Sequence, residues 1–128
     1  AVECRADDDS VRSLLAEALD DRATRVAVLA ERAALARLEA GCSAPMGALA
    51  TIAAGPNAGE PDMMDLRAVV GATDGGRLVR SRVGGLVSDP VRDPVSLGEA
   101  VADRLLDAGA ADLVPVQHRD LTKERQRT

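Results

Sequence analysis

The hydrophobic period of this chain changes at Gly41, and that change fixes what it can fold into. Up to Ala40 apolar residues recur at helical spacing, and from Met46 they alternate with a period of two. Past a loop holding Asp89-Pro90 and Asp93-Pro94 the helical spacing returns. Helices before and after a run of consecutive strands place the chain in the α+β class, with helices covering one face of a three-stranded antiparallel sheet. The 128 residues provide for a single core.

Within that frame, Val2 and Cys4 alternate with Glu3 and Arg5 as in a short strand. Asp7-Asp8-Asp9-Ser10 then offers N-caps for a helix bearing Val11, Leu14, Leu15, Ala18 and Leu19. A second helix, capped by Asp20 or Asp21, is predicted to reach about Ala40. Its residues Val26, Val28, Leu29, Ala33, Leu35, Ala36 and Leu38 surround most of the circumference, which predicts burial on more than one side. Arg25, Arg32 and Glu39 share the polar line that remains. Strands are expected from Met46 to Ala54, around Met64 to Val70, and from Leu78 to Val83. Gly55 to Asp62 and Thr73-Asp74-Gly75-Gly76 form the turns between them. The last helix carries Leu97, Val101, Leu105 and Ala108, with Gly109 as its C-terminal cap. From about Gln117 the chain is polar and aperiodic, and is expected to fray.

Charge and composition exclude several functions. A net charge of -5 argues against nucleic acid, whose binders carry a basic excess, and the absence of Trp, Tyr and Phe removes the platforms on which single-stranded bases stack. No apolar run approaches the ~20 residues of a membrane span, and the N-terminus lacks a signal-peptide layout, so a cytoplasmic protein is expected. In that compartment Cys4 and Cys42 should not pair, although two cysteines would permit one disulfide. Among sixteen basic residues only Lys123 is a lysine. Guanidinium groups suit a polycarboxylated ligand, but an arginine- and alanine-rich composition reflects coding bias equally well. The carboxylate pairs Asp7-Asp8-Asp9, Asp20-Asp21 and Glu60 with Asp62 sit where caps and turns demand them. His118 stands in the polar tail without a partner at ligand spacing, and Met46, Met63 and Met64 read as core filler. No metal spacing, phosphate loop or Ser/His/Asp arrangement is present.

Cys42 is the residue with chemistry to offer. The run Gly41-Cys42-Ser43-Ala44-Pro45-Met46-Gly47 ends the second helix and presents a thiol on a short loop. This segment resembles the cysteine loop of the porphobilinogen deaminases (hydroxymethylbilane synthases), whose pattern is A-E-R, a helix ending L-E-G-G, and then C-x-x-P-x-G. Ala30, Glu31, Arg32, Leu38, Glu39, Gly41, Cys42, Pro45 and Gly47 match, while Ala40 replaces the first glycine of the pair. The likeness extends to Ala1 through Asp8 and to Leu66 through Gly75, about residues 1 to 114 in all. Family enzymes have three domains and are well over twice as long. The resemblance therefore implies a C-terminal part of such an enzyme, with residues 1–19 a strand-helix remnant of the preceding domain, 20–116 the cofactor-anchoring domain and 117–128 a tail.

The resemblance further implies that Cys42 holds a dipyrromethane cofactor through a thioether and that Arg32 faces the cleft. The whole enzyme would join four porphobilinogen units into hydroxymethylbilane with loss of ammonia. Sulfur suits such a tether because it is highly nucleophilic toward an electrophilic methylene, and the thioether resists hydrolysis. Just past a helix C-terminus the thiol gains no activation from the macrodipole. Ten helical residues separate it from Arg32, roughly 15 Å at the helical rise, so Arg32 is better placed for a carboxylate further along the tethered chain. No catalytic residue is expected here, since the family's catalytic aspartate belongs to the preceding domains. Gly41 and Gly47 are candidate pivots for the loop. The bland alternatives are a packed Cys42, a solvated Arg32, and packing for Cys4. Other classes of function are a non-catalytic α+β interaction module pairing through a sheet edge and a thiol enzyme with an unseen base.

Overall fold

Each of the first two helices starts on an aspartate. The Val11 N–H donates to Asp8 Oδ1 at 3.1 Å, opening α1 (Asp9–Leu19), and the Thr24 N–H donates to Asp21 Oδ1 at 2.8 Å, opening α2 (Arg22–Arg37). The computed structural model describes residues 2–38 and 45–113. Three strands follow, β1 (Met46–Ala53), β2 (Asp62–Gly71) and β3 (Leu78–Val87), and then α3 (Arg92–Asp107) with a short 3-10 turn at Ala110–Asp112. The strands form one antiparallel sheet in the order β1-β2-β3, with β2 in the centre.

Register explains which residues are inside. Ala48 opposes Ala68, Ala50 opposes Leu66 and Ile52 opposes Met64 across β1 and β2. Leu66 opposes Val83 and Val70 opposes Val79 across β2 and β3. On this face Met64, Leu66 and Val70 are fully buried beneath α2 and α3, against Val26, Ala30, Ala34, Val101, Ala102 and Leu105. The α+β layer expected from the period change is the one observed.

Small residues set the helix spacing. An added Cβ at Gly98 of α3 would lie 2.4 Å from the Ala30 carbonyl oxygen and 2.9 Å from the Ala34 nitrogen, both backbone atoms of α2. At the hairpin between β2 and β3, Gly75 takes φ +76, and Gly109 ends α3 at φ +89, the left-handed conformations that glycine adopts without steric cost.

Several expectations need correction. Residues 2–5 form no strand, because a strand requires a neighbour and the sheet ends at β1 and β3. Cys4 accordingly is an exposed free thiol and does not pack inward. Met64 and Met46 join the core, but Met63 is 49% exposed because the alternation turns it to the other face of β2. On α2 the fully buried positions form one stripe, Val26, Ala30 and Ala34, with Val28, Leu29, Ala33 and Leu35 half-buried and Ala36 exposed. The third strand runs past Val83 to Val87.

The entry to α3 carries a pH dependence. Asp89 Oδ1 accepts the N–H groups of Arg92 at 2.8 Å and Val91 at 2.9 Å. Asp93 Oδ2 accepts those of Asp89 and Ser88, both at 2.8 Å. These bonds favour the ionised carboxylates and hold both below the ordinary aspartate value of 3.8. A depressed folded value contributes stability that is complete above the unfolded value and lost as pH falls through the folded one. The melting temperature followed by circular dichroism should therefore be level above about pH 4 and fall below it. Replacing Asp89 and Asp93 together with alanine should remove part of that fall, and an undiminished fall would contradict the assignment.

Candidate functional site

Gly41 and Cys42 lie outside the described residues, so the site is built from its two flanks. The first is the end of α2. Val26, Ala30, Ala34 and Leu38 fall four residues apart, and the first three are 0% and Leu38 6% exposed, which seats this helix against the sheet up to its last turn. The Leu38 N–H closes that turn on the Ala34 carbonyl at 3.1 Å. Beside it Arg37 Nε donates to Asp103 Oδ1 of α3 at 2.8 Å, an exposed pair that contributes little.

The second flank is the start of β1. The Pro45 carbonyl accepts the Gly71 N–H at 2.8 Å, so β1 is held from the residue before its first ladder pair, Met46 with Val70. Gly47 pairs with Val69 inside the strand. An added Cβ there would meet Val69 at an ordinary 3.7 Å.

A direct polar link joins the two flanking elements. Glu31, half-buried on α2, accepts the Ala50 N–H on Oε1 at 2.9 Å. Because β1 is an edge strand with β2 as its one ladder neighbour, this bond occupies a backbone donor that no strand satisfies.

Arg32 is where the helical period put it, on the exposed side of α2. It makes no hydrogen bond or ion pair with another described residue, whereas Arg25, seven positions earlier, donates through Nε to both oxygens of Asp20 at 3.0 and 3.1 Å. An uncommitted guanidinium on the helix leading to the cysteine is a donor set that suits carboxylate groups. Arg5 is exposed, with Asp8 4.0 Å away, and His118 lies outside the described residues. Among the described residues no cluster could hold a metal ion, and no helix is long and apolar enough to cross a membrane.

The uncovered face of the sheet holds a shallow groove of about 580 Å³ lined by Gly47, Leu49, Arg67, Val69, Arg80 and Arg82. Asp65 already engages two of its arginines. Arg82 donates to Oδ1 and Arg67 to Oδ2 at 2.9 Å, and these bonds, Arg82 first, hold the carboxyl below its ordinary range. Sequence reasoning gave Glu31 no role. A glutamate on a helix reads as a solvated charge, and the one available signal was its place between Ala30 and Arg32 in the stretch that resembles a family motif.

Comparison with known proteins gives a concordant result. Residues 25–107 match the family profile described as porphobilinogen deaminase, C-terminal domain. A porphobilinogen deaminase from a Roseiflexus species is 50% identical over 113 residues, 88% of this chain and 33% of the relative. Porphobilinogen deaminase 1 from Streptomyces coelicolor is 50% identical over 115 residues, 89% of this chain and 35% of the relative. Porphobilinogen deaminase from Cutibacterium acnes is 44% identical over 131 residues, 96% of this chain and 38% of the relative. The chain thus spans about a third of the length of the curated relatives it matches.

Proposed function

The chain belongs to the porphobilinogen deaminase family, corresponding to its C-terminal domain, and from that premise we propose that it is the cofactor-anchoring part of a hydroxymethylbilane synthase. Cys42 is the anchor. Its sulfur gives up a proton and forms a carbon–sulfur bond to the methylene of a pyrrole unit that has already lost ammonia, which is a step within reach of an unactivated thiol because the carbon is strongly electrophilic. Dipyrromethane, once attached, supplies the free pyrrole end to which porphobilinogen units are added. Arg32 contributes a fixed positive charge for the acetate and propionate groups of the pyrrole chain, and its lack of a partner among the described residues supports that role.

The observation that carries this reading is the match of the family profile across residues 25–107, which includes the Cys42 segment. The described residues offer no acid–base pair in a cleft, and the cap and turn carboxylates are engaged, as at Asp8, Asp21 and Asp89. Proton transfer is assigned, by the family resemblance, to domains preceding this one. Residues 1–19 are assigned to the junction with them, since α1 buries none of its residues and leaves Leu14 65% and Leu19 61% exposed. A cytoplasmic location accompanies the pathway. Against the alternative of a module pairing through an exposed sheet edge stands, at β1, the Glu31 carboxylate already seated on Ala50.

The division of labour predicts that the 128-residue chain alone consumes no porphobilinogen, and that joining it to the preceding domains of a relative restores hydroxymethylbilane production. Ammonia release measured with both proteins decides the matter. Turnover by the isolated chain would overturn the proposal.

A further inference from the structure

The sheet face turned away from α2 and α3 is charged against the sign of the chain. Register lays three arginines on two adjacent rows, Arg67 opposing Arg82 in one and Val69 opposing Arg80 in the other. Leu49 and Gly47 complete these rows on β1, opposite Arg67 and Val69. Asp65 is the one carboxylate that strand alternation puts on this face, so three guanidinium groups there meet a single negative charge, although the whole chain carries -5. Like charges directly opposed across a ladder cost stability, and Asp65 offsets part of that cost by accepting the Nε of Arg67 at 2.9 Å and the Nε of Arg82. These bonds order both side chains in advance, which lowers the entropic cost of engaging a ligand. Their terminal N–H groups bond to no other described residue, and Arg80 has no hydrogen bond or ion pair among the described residues. Between the arginines, Leu49 is 59% exposed and Val69 half-buried, an apolar floor to a groove of about 580 Å³. That volume is on the scale of a small-molecule site. A second copy of the chain is a poor occupant, because a self-complementary contact would set arginine against arginine.

We propose that this groove binds a flat, apolar-bodied molecule carrying two or more carboxylates, with Leu49 and Val69 receiving the body and Arg67, Arg80 and Arg82 the carboxylates. The planar guanidinium fork matches carboxylate oxygens in pairs, and the floor between the forks favours a ring over a compact, fully hydrated anion. Oligopyrroles with acetate and propionate groups belong to this class. The site goes beyond the anchoring role and does not depend on it, since every residue that lines the groove lies in the three strands.

The test is a titration of the nitrogen-15-labelled chain with 2,6-naphthalenedicarboxylate, followed by the amide NMR signals. A ligand of this size at ordinary efficiency per atom should bind with a Kd of about 0.3 mM, and the amides of Gly47, Leu49, Val69 and Arg80 should shift together. Citrate, which has carboxylates without a ring, and 2-naphthalenemethanol, which has the ring without carboxylates, should each bind more weakly. Arg80→Gln should raise the Kd about fivefold, the upper worth of one exposed ion pair, and substituting Arg67, Arg80 and Arg82 together with glutamine should abolish the shifts. Arg92→Gln, on the helix that covers the opposite face, should change nothing. No shifts at millimolar probe, shifts spread over the chain, citrate binding as tightly as the probe, or an equal loss in Arg92→Gln would each overturn the proposal. The arginines are exposed, so the variants should fold, and the same spectra report it. Should the chain alone not hold this fold, calorimetry on the complete polypeptide decides: loss of one site of this affinity in the triple variant supports the groove, and identical isotherms overturn it. A complete polypeptide that never acquires a pyrrole adduct would sink the anchoring role and leave this titration standing.

Discussion

Replacing Gly98 with alanine is expected to cost about 3 kcal/mol of folding stability, at the upper end of what overpacking a core incurs. The new Cβ would stand 2.4 Å from the Ala30 carbonyl oxygen, 2.7 Å from the Ala33 Cβ and 2.9 Å from the Ala34 nitrogen. Two of these three are backbone atoms of a helix and cannot rotate away, so α2 and α3 must separate along their whole contact. The opposing term is the better helix propensity of alanine, about 1 kcal/mol, which is too small to reverse the sign. Since domains of this size are stable by about 5–15 kcal/mol, the loss is a large fraction of the total. Urea unfolding should show a lowered midpoint with an unchanged slope. A variant as stable as the parent, or more so, would mean that the helices are not in contact at Gly98.

The same glycine shows how far the sequence could be read. Period alone placed three helices and three strands in order, because the alternation of Met64, Leu66, Ala68 and Val70 and the spacing of Leu97, Val101 and Leu105 each bury one face, as observed. Where the reading fell short, a partner was missing from the pattern. Val2 and Cys4 have a strand's alternation, but the sheet of the described residues gives them no ladder to join. The third strand was expected to end at Val83. The strand continues to Val87 because Gly85 lies beneath α3, where an added Cβ would come within 2.9 Å of the Leu97 side chain. That contact is tertiary and leaves no local signature.

The site was legible in a different way. Cys42 and Arg32 emerged from a resemblance of the surrounding motif, and the family assignment agrees with it. Composition and spacing by themselves left a packed thiol and a solvated arginine open. The link between Glu31 and Ala50 was invisible because a hydrogen bond from an edge-strand amide depends on how a helix lies across a sheet, and neither residue type announces it.

Substitution of Cys42 by serine in the complete polypeptide is expected to abolish hydroxymethylbilane synthesis, a loss of many orders of magnitude. Oxygen is a far weaker nucleophile than sulfur toward the methylene carbon. A growing chain without a fixed end would then be lost between additions. The fold should be indifferent to the change, so a normal melting temperature alongside absent activity separates anchoring from packing. The most direct measurement is the intact mass of the complete polypeptide, with and without the substitution. The parent should carry a single adduct of two pyrrole units that maps to the peptide containing Cys42, and the serine variant should have the mass of unmodified protein. An unmodified parent, or a serine variant that still bears the adduct and still makes bilane, would contradict the assignment of Cys42 as the anchor.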